Sequence, residues 1–263
     1  MIPSEQKRVI AIGDVHGCLE ELRELLALVS YNASHDHLVF LGDLVDRGPD
    51  PIGVVRYVRE LNAECVKGNH DEKIPRWRRH KANEQLTGKP NPMRRPDEKR
   101  LAEWEGMSED DVRWLDALPC IVSLAPGRTG WVGVHAGFEP ARSLSEQRDD
   151  RMCRIRYVDA NGEFAASKYA GHVPDGAIPW MCWSGEWKSP ARVVYGHAVH
   201  DLAAPRVDRV GEHGFCYGID TGCCFGGKLT AWIKPVTGTD DAIEIISVAA
   251  KATYADLKFA NVE

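Results

Sequence analysis

Apolar residues follow two different spacings in the first third of the chain. A run at 8–12 predicts a short strand, and apolar residues then recur three or four positions apart over 19–29, as on one face of a helix. A second strand is predicted at 37–41, a helix at 52–61 and a third strand at 64–67. This order predicts parallel strands whose carboxyl ends carry the polar loops, where open α/β sheets place their ligand sites.

The second half of the chain is richer in strands than in helices. Apolar or alternating runs that predict strands occur at 121–124, 131–135, 192–196, 214–219, 228–233 and 242–248. These runs favour a mixed or antiparallel second sheet. The predicted fold class is therefore α/β, with two mixed β-sheets packed as a sandwich and flanked by helices. Because no linker, low-complexity tract or internal repeat interrupts the pattern, we expect one domain over 1–263.

Composition and charge narrow the function classes. With 43% hydrophobic and 27% charged residues the chain is typical of a globular protein, and a net charge of -6 argues against general nucleic-acid binding. The charge is uneven, because 73–100 contains ten Lys or Arg against three Asp or Glu, together with four prolines. We predict a basic, irregular insertion at about 73–106. It is either a solvated surface or a lid that attracts an anionic substrate.

The start of the chain, the length of its apolar runs and the spacing of its cysteines argue against secreted, membrane-spanning and zinc-ribbon proteins. The start, MIPSEQKR, lacks the apolar stretch of a secretory signal, and no apolar run approaches the length of a membrane span. These features predict a cytoplasmic protein with no membrane partner. The eight cysteines show no C-x-x-C spacing, which argues against a zinc ribbon or a thioredoxin-type motif.

Charged motifs follow the three predicted parallel strands. GDVHG at 13–17, GDLVDRG at 42–48 and GNHD at 68–71 place several carboxylates at one edge of the sheet. Arg47 alone cannot compensate this negative charge, so the sequence predicts bound metal. Asp, His and Asn ligands without Cys suit Mn²⁺, Fe, Co²⁺ or Zn²⁺ better than Ca²⁺, and such a mixture is typical of a two-metal site. The flanking glycines would let the loops turn sharply and approach each other.

These motifs, with HAG at 135–137 and YGHAVH at 195–200, resemble the calcineurin-like metallophosphoesterases of the phosphoprotein-phosphatase branch. The resemblance covers nearly the whole chain. In its second half, CRIRYVD at 153–159 and YGIDTGCCFGGKLTA at 217–231 are similar to the bacterial diadenosine tetraphosphatases and the related bis(5'-nucleosyl)-tetraphosphatases.

The resemblance implies a set of metal ligands. Asp14 and His16 would bind the first ion and Asp43 would bridge both, while the second ion would be completed by Asn69, His135 and His197. The spacing of the two later histidines is consistent with this set. Each follows a predicted strand, and the two could reach one cluster only if the second sheet packs against the first. Mn²⁺ is the preferred ion, with Co²⁺, Fe or Zn²⁺ as alternatives.

The resemblance also implies the acid and the phosphate-binding groups. His70 would protonate the leaving group, with Asp46 orienting its ring. Arg47 would bind phosphate oxygens bidentately, and the second clamp would be either Arg154 or Arg156.

The function implied is hydrolysis of a dinucleoside polyphosphate such as diadenosine tetraphosphate, by in-line attack of a hydroxide that bridges two metal ions. One alternative is a phosphomonoesterase of the serine/threonine protein phosphatase type, and another is a non-catalytic scaffold. The expected partner is a nucleotide polyphosphate or another phosphorylated substrate, and the oligomeric state stays open. Symmetrically cleaving relatives usually lack a carboxylate at the position of Asp46, whereas the asymmetric branch and the protein phosphatases keep it, so the side of cleavage also stays open.

Three tryptophans, Trp180, Trp183 and Trp187, lie close together in WMCWSGEW. They are candidates for a wall that stacks a nucleotide base. A packed flap or core cluster is the alternative, and it is the one we favour.

Overall fold

The computed structural model describes residues 8–124, 130–162, 164–165, 180–211, 214–236 and 242–257. The six α-helices in these ranges are α1 Leu19–Leu28, α2 Pro51–Glu60, α3 Asn69–Thr87, α4 Glu98–Gly106, α5 Glu109–Asp116 and α6 Asp149–Met152. The strands before residue 150 are β1 Arg8–Ile12, β2 Asp36–Phe40, β3 Glu64–Cys65, β4 Ile121–Ser123 and β5 Trp131–Val134. Those after it are β6 Tyr157–Val158, β7 Phe164–Ala165, β8 Met181–Cys182, β9 Arg192–Tyr195, β10 Arg206–Val210, β11 Gly214–Gly218, β12 Lys228–Pro235 and β13 Glu244–Ala249.

The first sheet has the strand order β13-β12-β1-β2-β3. Strands β1, β2 and β3 run parallel, and β12 joins β1 in the antiparallel direction. All five residues of β2 are buried, as expected for a parallel strand covered on both faces. The three predicted parallel strands are thus confirmed. Their bounds agree within one residue, except that β3 ends two residues before the predicted end.

The second sheet has the strand order β10-β11-β9-β5-β4. Its centre is a second parallel trio, β11, β9 and β5, with antiparallel strands at both edges. The prediction of a mixed second sheet is confirmed. Strand β10 was not predicted. Its sequence, RVDRV, contains two arginines and an aspartate, and none of its five residues is fully buried.

The two sheets pack face to face through side chains that alternate along each strand. Val9 and Ala11 of β1 point toward the second sheet, while Ile10 and Ile12 point toward the helices. Between the sheets, Trp131 of β5 lies against Trp232 of β12 with ring centroids 4.9 Å apart. The predicted sandwich is therefore confirmed.

The outer faces of the two sheets are covered differently. Helices α1 to α5 contribute apolar side chains to the core on the first sheet. The second sheet is covered instead by loops, α6 and a small sheet of order β7-β6-β8, which was not predicted. Trp183 and Trp187 are fully buried in this layer, against Phe138. They belong to the core, so the base-stacking interpretation is wrong for these two residues.

The prediction that the basic segment is irregular is wrong for much of its length. Residues 69–87 form one 19-residue helix, α3, with Pro75 inside it, and α4 begins at Glu98. An internal proline costs a helix about 3 kcal/mol or more. Here the buried side chains of Ile74 and Trp77 offset that cost, since burying each contributes about 1.5–3 kcal/mol. Of the helices described, none is both long and apolar enough to cross a bilayer.

Candidate active site

The polar motifs converge where the carboxyl ends of the two parallel trios meet. The loop after β1 is held to the loop after β2 by backbone bonds from His16 N–H to Asp43 O, 2.8 Å, and from Gly17 N–H to Leu44 O, 2.9 Å. From the second sheet, His135 directly follows β5 and His197 lies two residues after β9. The packing of the sheets therefore brings five separate loops to one point, because Asn69 begins α3 at the same edge.

Asp71 fixes the second and third loops relative to each other. Its fully buried carboxylate accepts hydrogen bonds from the backbone N–H groups of Asp43, Leu44 and Gly68, at 2.8, 2.9 and 3.0 Å. Burial, and then the charge of Asp43, raise the pKa of Asp71 to about 7. Asp71 belongs to the GNHD motif, but the sequence predicted no role for it.

Two glycines explain how the loops come so close. Gly42 has φ +86°, and a Cβ at Gly68 would lie 2.2 Å from both the backbone nitrogen and Oδ1 of Asp43. No side chain fits at the second position without moving the carboxylate. The predicted purpose of the flanking glycines is confirmed at these two positions.

The first group of potential ligands comprises Asp14, His16 and Asp43. His16 Nδ1 lies 2.8 Å from the Val45 carbonyl, so this nitrogen carries the proton and Nε2 carries the lone pair. Nε2 lies 3.5 Å from Asp43 Oδ2 and 3.9 Å from Asp14 Oδ2. Asp14 Oδ2 is buried and makes no hydrogen bond within the part of the chain that is described.

The second group comprises Asp43, His135 and His197, whose potential ligand atoms all lie within 4.8 Å of one another. His135 donates Nδ1–H to the Leu41 carbonyl, 2.7 Å away, which leaves the lone pair on Nε2. That nitrogen lies 2.9 Å from Asn69 Oδ1. Two acceptors at this distance repel each other unless they share a proton or a cation, so the contact is consistent with a bound metal ion.

The electrostatics of the cluster also favour bound cations. Burial raises the pKa of Asp14 well above its ordinary value, and the charges of Asp220 and Asp43 raise it further. Burial likewise raises the pKa of Asp220 to about 6. Carboxylates that repel one another in a buried site ionise together only when positive charge is present. The donor set of carboxylate, imidazole and amide oxygen fits divalent ions such as Mn²⁺ or Zn²⁺.

His70 and Asp46 form a tight buried pair beside these ligands. His70 Nδ1 lies 2.6 Å from Asp46 Oδ2, and both side chains are almost completely buried. Burial alone would raise the pKa of Asp46, but its bond to His70 and the nearby positive charge lower it to about 2. The other carboxylate oxygen, Oδ1, accepts Trp104 Nε1–H at 2.7 Å and lies 3.4 Å from Arg100 Nε.

The three predicted arginines occupy different environments. Arg47 is half-buried, with Nη1 2.8 Å from His16 Nε2 and its guanidinium over the Phe225 ring. Arg156 is buried and donates Nη2–H to the His197 carbonyl at 3.2 Å. Arg154 donates to Glu72 on α3, and a quarter of its side chain is exposed.

Backbone strain is concentrated in the same loops. Seven described non-glycine residues have positive φ, and five of them are site residues, namely His16, Asp43, Asp46, Arg47 and His197. Such conformations cost of order 1–3 kcal/mol each and persist where the surrounding structure enforces them. Local sequence gave no indication of this strain.

Four residues that line or support the cluster were missed as site residues. Asp71 binds the backbone of Asp43, and the charge of Asp220 acts on Asp14, whereas Trp104 and Arg100 contact Asp46. Asp220 could have been predicted from the sequence, because it follows β11 of the second parallel trio just as Asp14 and Asp43 follow β1 and β2. Nothing in the sequence indicated Trp104 and Arg100, since both lie on α4, more than fifty residues from Asp46.

The chain is similar over most of its length to bis(5'-nucleosyl)-tetraphosphatases of both the asymmetrical and the symmetrical type. A bis(5'-nucleosyl)-tetraphosphatase of the asymmetrical type from Oceanobacillus iheyensis is 29% identical, over 97% of both chains. The corresponding asymmetrical protein of Bacillus subtilis is 30% identical, over 94% of this chain and 97% of its own. A symmetrical bis(5'-nucleosyl)-tetraphosphatase from Janthinobacterium sp. is 29% identical, over 84% of this chain and 90% of its own.

The structural comparison leads to the same group. A crystal structure described provisionally as a diadenosine tetraphosphatase superposes with a TM-score of 0.71 and 28% identity, over 95% of this chain and 96% of the other. The sequence profile of the calcineurin-like phosphoesterases matches residues 7–220. The chain therefore belongs to the calcineurin-like phosphoesterase family and is a metal-dependent hydrolase.

Proposed function

We propose that the protein hydrolyses dinucleoside polyphosphates, with diadenosine tetraphosphate as the representative substrate. Two divalent ions would supply Lewis-acid polarisation of a phosphoryl oxygen and a nucleophile at neutral pH. Mn²⁺ is the ion we favour. The residues proposed to hold the ions are Asp14, His16, Asp43, Asn69, His135 and His197.

His70 is the proposed proton donor. Asp46 holds Nδ1 and so fixes the orientation of the ring, and Nε2 is the atom that would face a leaving oxygen. Trp104 and Arg100 act on this pair indirectly, because they fix the carboxylate that orients the ring. We therefore treat both as positioning residues.

Arg47 and Arg156 are the proposed phosphate clamps. Arg156 is preferred to Arg154 because its guanidinium lies against His197. Its positive charge also acts to lower the pKa of Asp220, inside the cluster. Arg154 instead forms an ion pair with Glu72 at the partly exposed start of α3. Guanidinium groups bind phosphate oxygens through paired N–H donors, which suits them to this role.

The observation that carries the proposed substrate is the near-complete match to relatives named for it, 97% of both chains in one case. The asymmetrical relatives match over 94–97% of this chain and the symmetrical ones over 83–85%. The carboxylate of Asp46 also agrees with the pattern of the asymmetric branch. We therefore propose asymmetric cleavage.

Product analysis tests the proposal directly. Metal-loaded protein and diadenosine tetraphosphate should yield ATP and AMP in equal amounts when the products are separated by anion-exchange chromatography. Paired ADP would instead show symmetric cleavage. If no nucleotide product forms while a phosphopeptide is dephosphorylated, the substrate class is wrong.

A phosphomonoesterase activity is the second candidate, and the His70–Asp46 pair supports it. A positioned general acid is most useful when the leaving group is a strongly basic alkoxide, as in phosphoserine. A non-catalytic scaffold is not supported, because the complete set of buried charged ligands would be costly to keep without bound metal. Turnover on a phosphopeptide relative to diadenosine tetraphosphate separates the two activities.

Trp104→Phe tests the positioning role. The change removes the N–H that holds Asp46 Oδ1 but keeps the aromatic packing, so we expect kcat to fall roughly 3- to 30-fold, with a smaller change in KM. The matched control is Trp77→Phe. Trp77 packs edge-on to Trp104, and its Nε1 makes no hydrogen bond in the described chain, so that variant should keep its kcat. Equal losses in both variants would show that packing, and not the hydrogen bond, matters.

A further inference from the structure

A cleft of about 890 Å³ extends from His70 and Arg47 between α3, α4 and the segment that joins them. We call it the α3–α4 cleft. Its volume lies in the range of small-molecule sites, roughly 300–1,000 Å³, and exceeds what a single phosphate needs. The cleft is therefore large enough for a nucleotide, and it opens directly beside the proposed proton donor.

The cleft has the charge expected for binding an anion. Among the described residues that line it, six are Lys or Arg and one, Asp97, is a carboxylate. The basic segment that stood out in the sequence thus has two parts. Arg76, Arg94 and Arg95 line the cleft. Arg78, by contrast, donates to backbone carbonyls at the end of α4, and it holds the helix in place.

Some of these cations are available for a ligand. The Arg76 side chain is 38% exposed, and its head group lies 3.3 Å from Glu72, a carboxylate that also pairs with Arg154. Arg95 is exposed, and its one ion pair within the described ranges is with the exposed Glu98. Exposed ion pairs contribute little, about 0–1 kcal/mol, so a polyphosphate can displace Glu98 easily. Apolar side chains of Met93 and Pro96 line the same cleft and offer a surface for a base.

The cleft lies on the side of the site where the leaving group would depart. In an in-line displacement the leaving oxygen departs opposite the nucleophile, next to the group that protonates it. His70 is that group in the proposed function and also lines the cleft. The part of a substrate that lies beyond the cleaved bond would therefore extend into the cleft.

We infer that the α3–α4 cleft binds the leaving half of the substrate, a nucleoside carrying two or more phosphates, and selects polyphosphate esters over simple phosphomonoesters. This inference rests on the proposed function, because it assigns the site that recognises the departing nucleotide. Binding energy from this remote part of the substrate would be used to position the reacting phosphate.

A charge-matched pair of variants tests the inference. The cleft variant combines Arg76→Ala, Arg94→Ala and Arg95→Ala. The control combines Arg23→Ala, Arg79→Ala and Arg113→Ala, which removes three exposed arginines that pair with Glu20, Asp116 and Asp110 outside the cleft. Both variants have the same net charge, so a general change in the protein's field affects them equally.

The first measurement is binding of ADP to the metal-loaded full chain by equilibrium dialysis, with AMP as the short-chain comparison. The cleft variant should bind ADP roughly tenfold or more weakly than the control, with a smaller change for AMP, and the difference should shrink at high salt. The second measurement is KM. It should rise in the cleft variant for diadenosine tetraphosphate and stay within about twofold for p-nitrophenyl phosphate.

The two proposals fail in different ways. Wild-type protein that binds ADP through the cleft but does not cleave diadenosine tetraphosphate would contradict the proposed function and leave the site in place. Equal ADP affinity in the cleft and control variants, or wild-type protein that does not bind ADP, would overturn the inference. Equal KM changes for both substrates would also overturn it.

Discussion

Asp43→Asn is expected to abolish hydrolysis while leaving the fold intact. Asp43 is the only one of the proposed ligands that belongs to both ligand groups, since its carboxylate oxygens lie 3.5 Å from His16 Nε2 and 3.4 Å from His135 Nε2. An amide weakens the link to both ions, because it loses the charge and keeps one oxygen. We expect kcat/KM to fall by roughly a thousandfold or more at saturating Mn²⁺.

The same variant should be no less stable than wild type when both are free of metal. Asp43 Oδ1 accepts the backbone N–H of His70 at 2.8 Å, and the amide oxygen of Asn can accept it as well. The charge of Asp43 also raises the pKa of Asp14, Asp71 and Asp220, so removing it relieves repulsion within the buried cluster. Adding Mn²⁺ should raise the Tm of the wild type more than that of the variant.

Asp36→Asn is the matched control. Asp36 is also buried, but it forms a paired hydrogen bond with Arg8 at the far end of β2. Its substitution should lower the free energy of unfolding and leave kcat/KM of the folded enzyme unchanged. Thermal unfolding and turnover with diadenosine tetraphosphate measure both effects. Near-normal turnover of Asp43→Asn with Mn²⁺ present would contradict the two-metal site.

His70→Ala should affect substrates unequally, according to their leaving groups. A nucleoside polyphosphate departs as a stable anion near neutral pH and needs little protonation, whereas a serine or sugar alkoxide is strongly basic. General acids typically contribute about 10² to 10⁴ in rate. The loss in kcat should approach that range on an alkyl phosphomonoester and be much smaller on diadenosine tetraphosphate.

Asp46→Asn is the companion variant for this test. It should show the same substrate ranking with smaller losses, because it misorients the His70 ring without removing it. Both variants must be compared by kcat at saturating metal, since His70 follows Asn69 and its loss could weaken binding of the second ion. If His70→Ala costs the same factor on both substrates, His70 is not the proton donor or its main effect is electrostatic.

The sequence by itself determined the strands and the loops that carry the chemistry. Apolar runs such as 8–12 and 37–41 are long enough to fix a buried strand, and their parallel order follows from the helices between them. The ends of those strands could be located from sequence because Gly and Asp residues interrupt the apolar pattern there. The same local signals predicted that His135 and His197 lie at strand ends in the second sheet.

Only the tertiary structure decided which distant side chains meet. Trp104 reaches Asp46 across 58 positions of sequence, and Arg156 rather than Arg154 lies against His197, although both arginines share one motif. The basic segment is largely helical because its buried side chains pack on the core, an interaction that local proline content does not reveal. Local sequence sets backbone preference and the alternation of faces, but contacts between loops depend on how the two sheets pack, and that is a property of the whole chain.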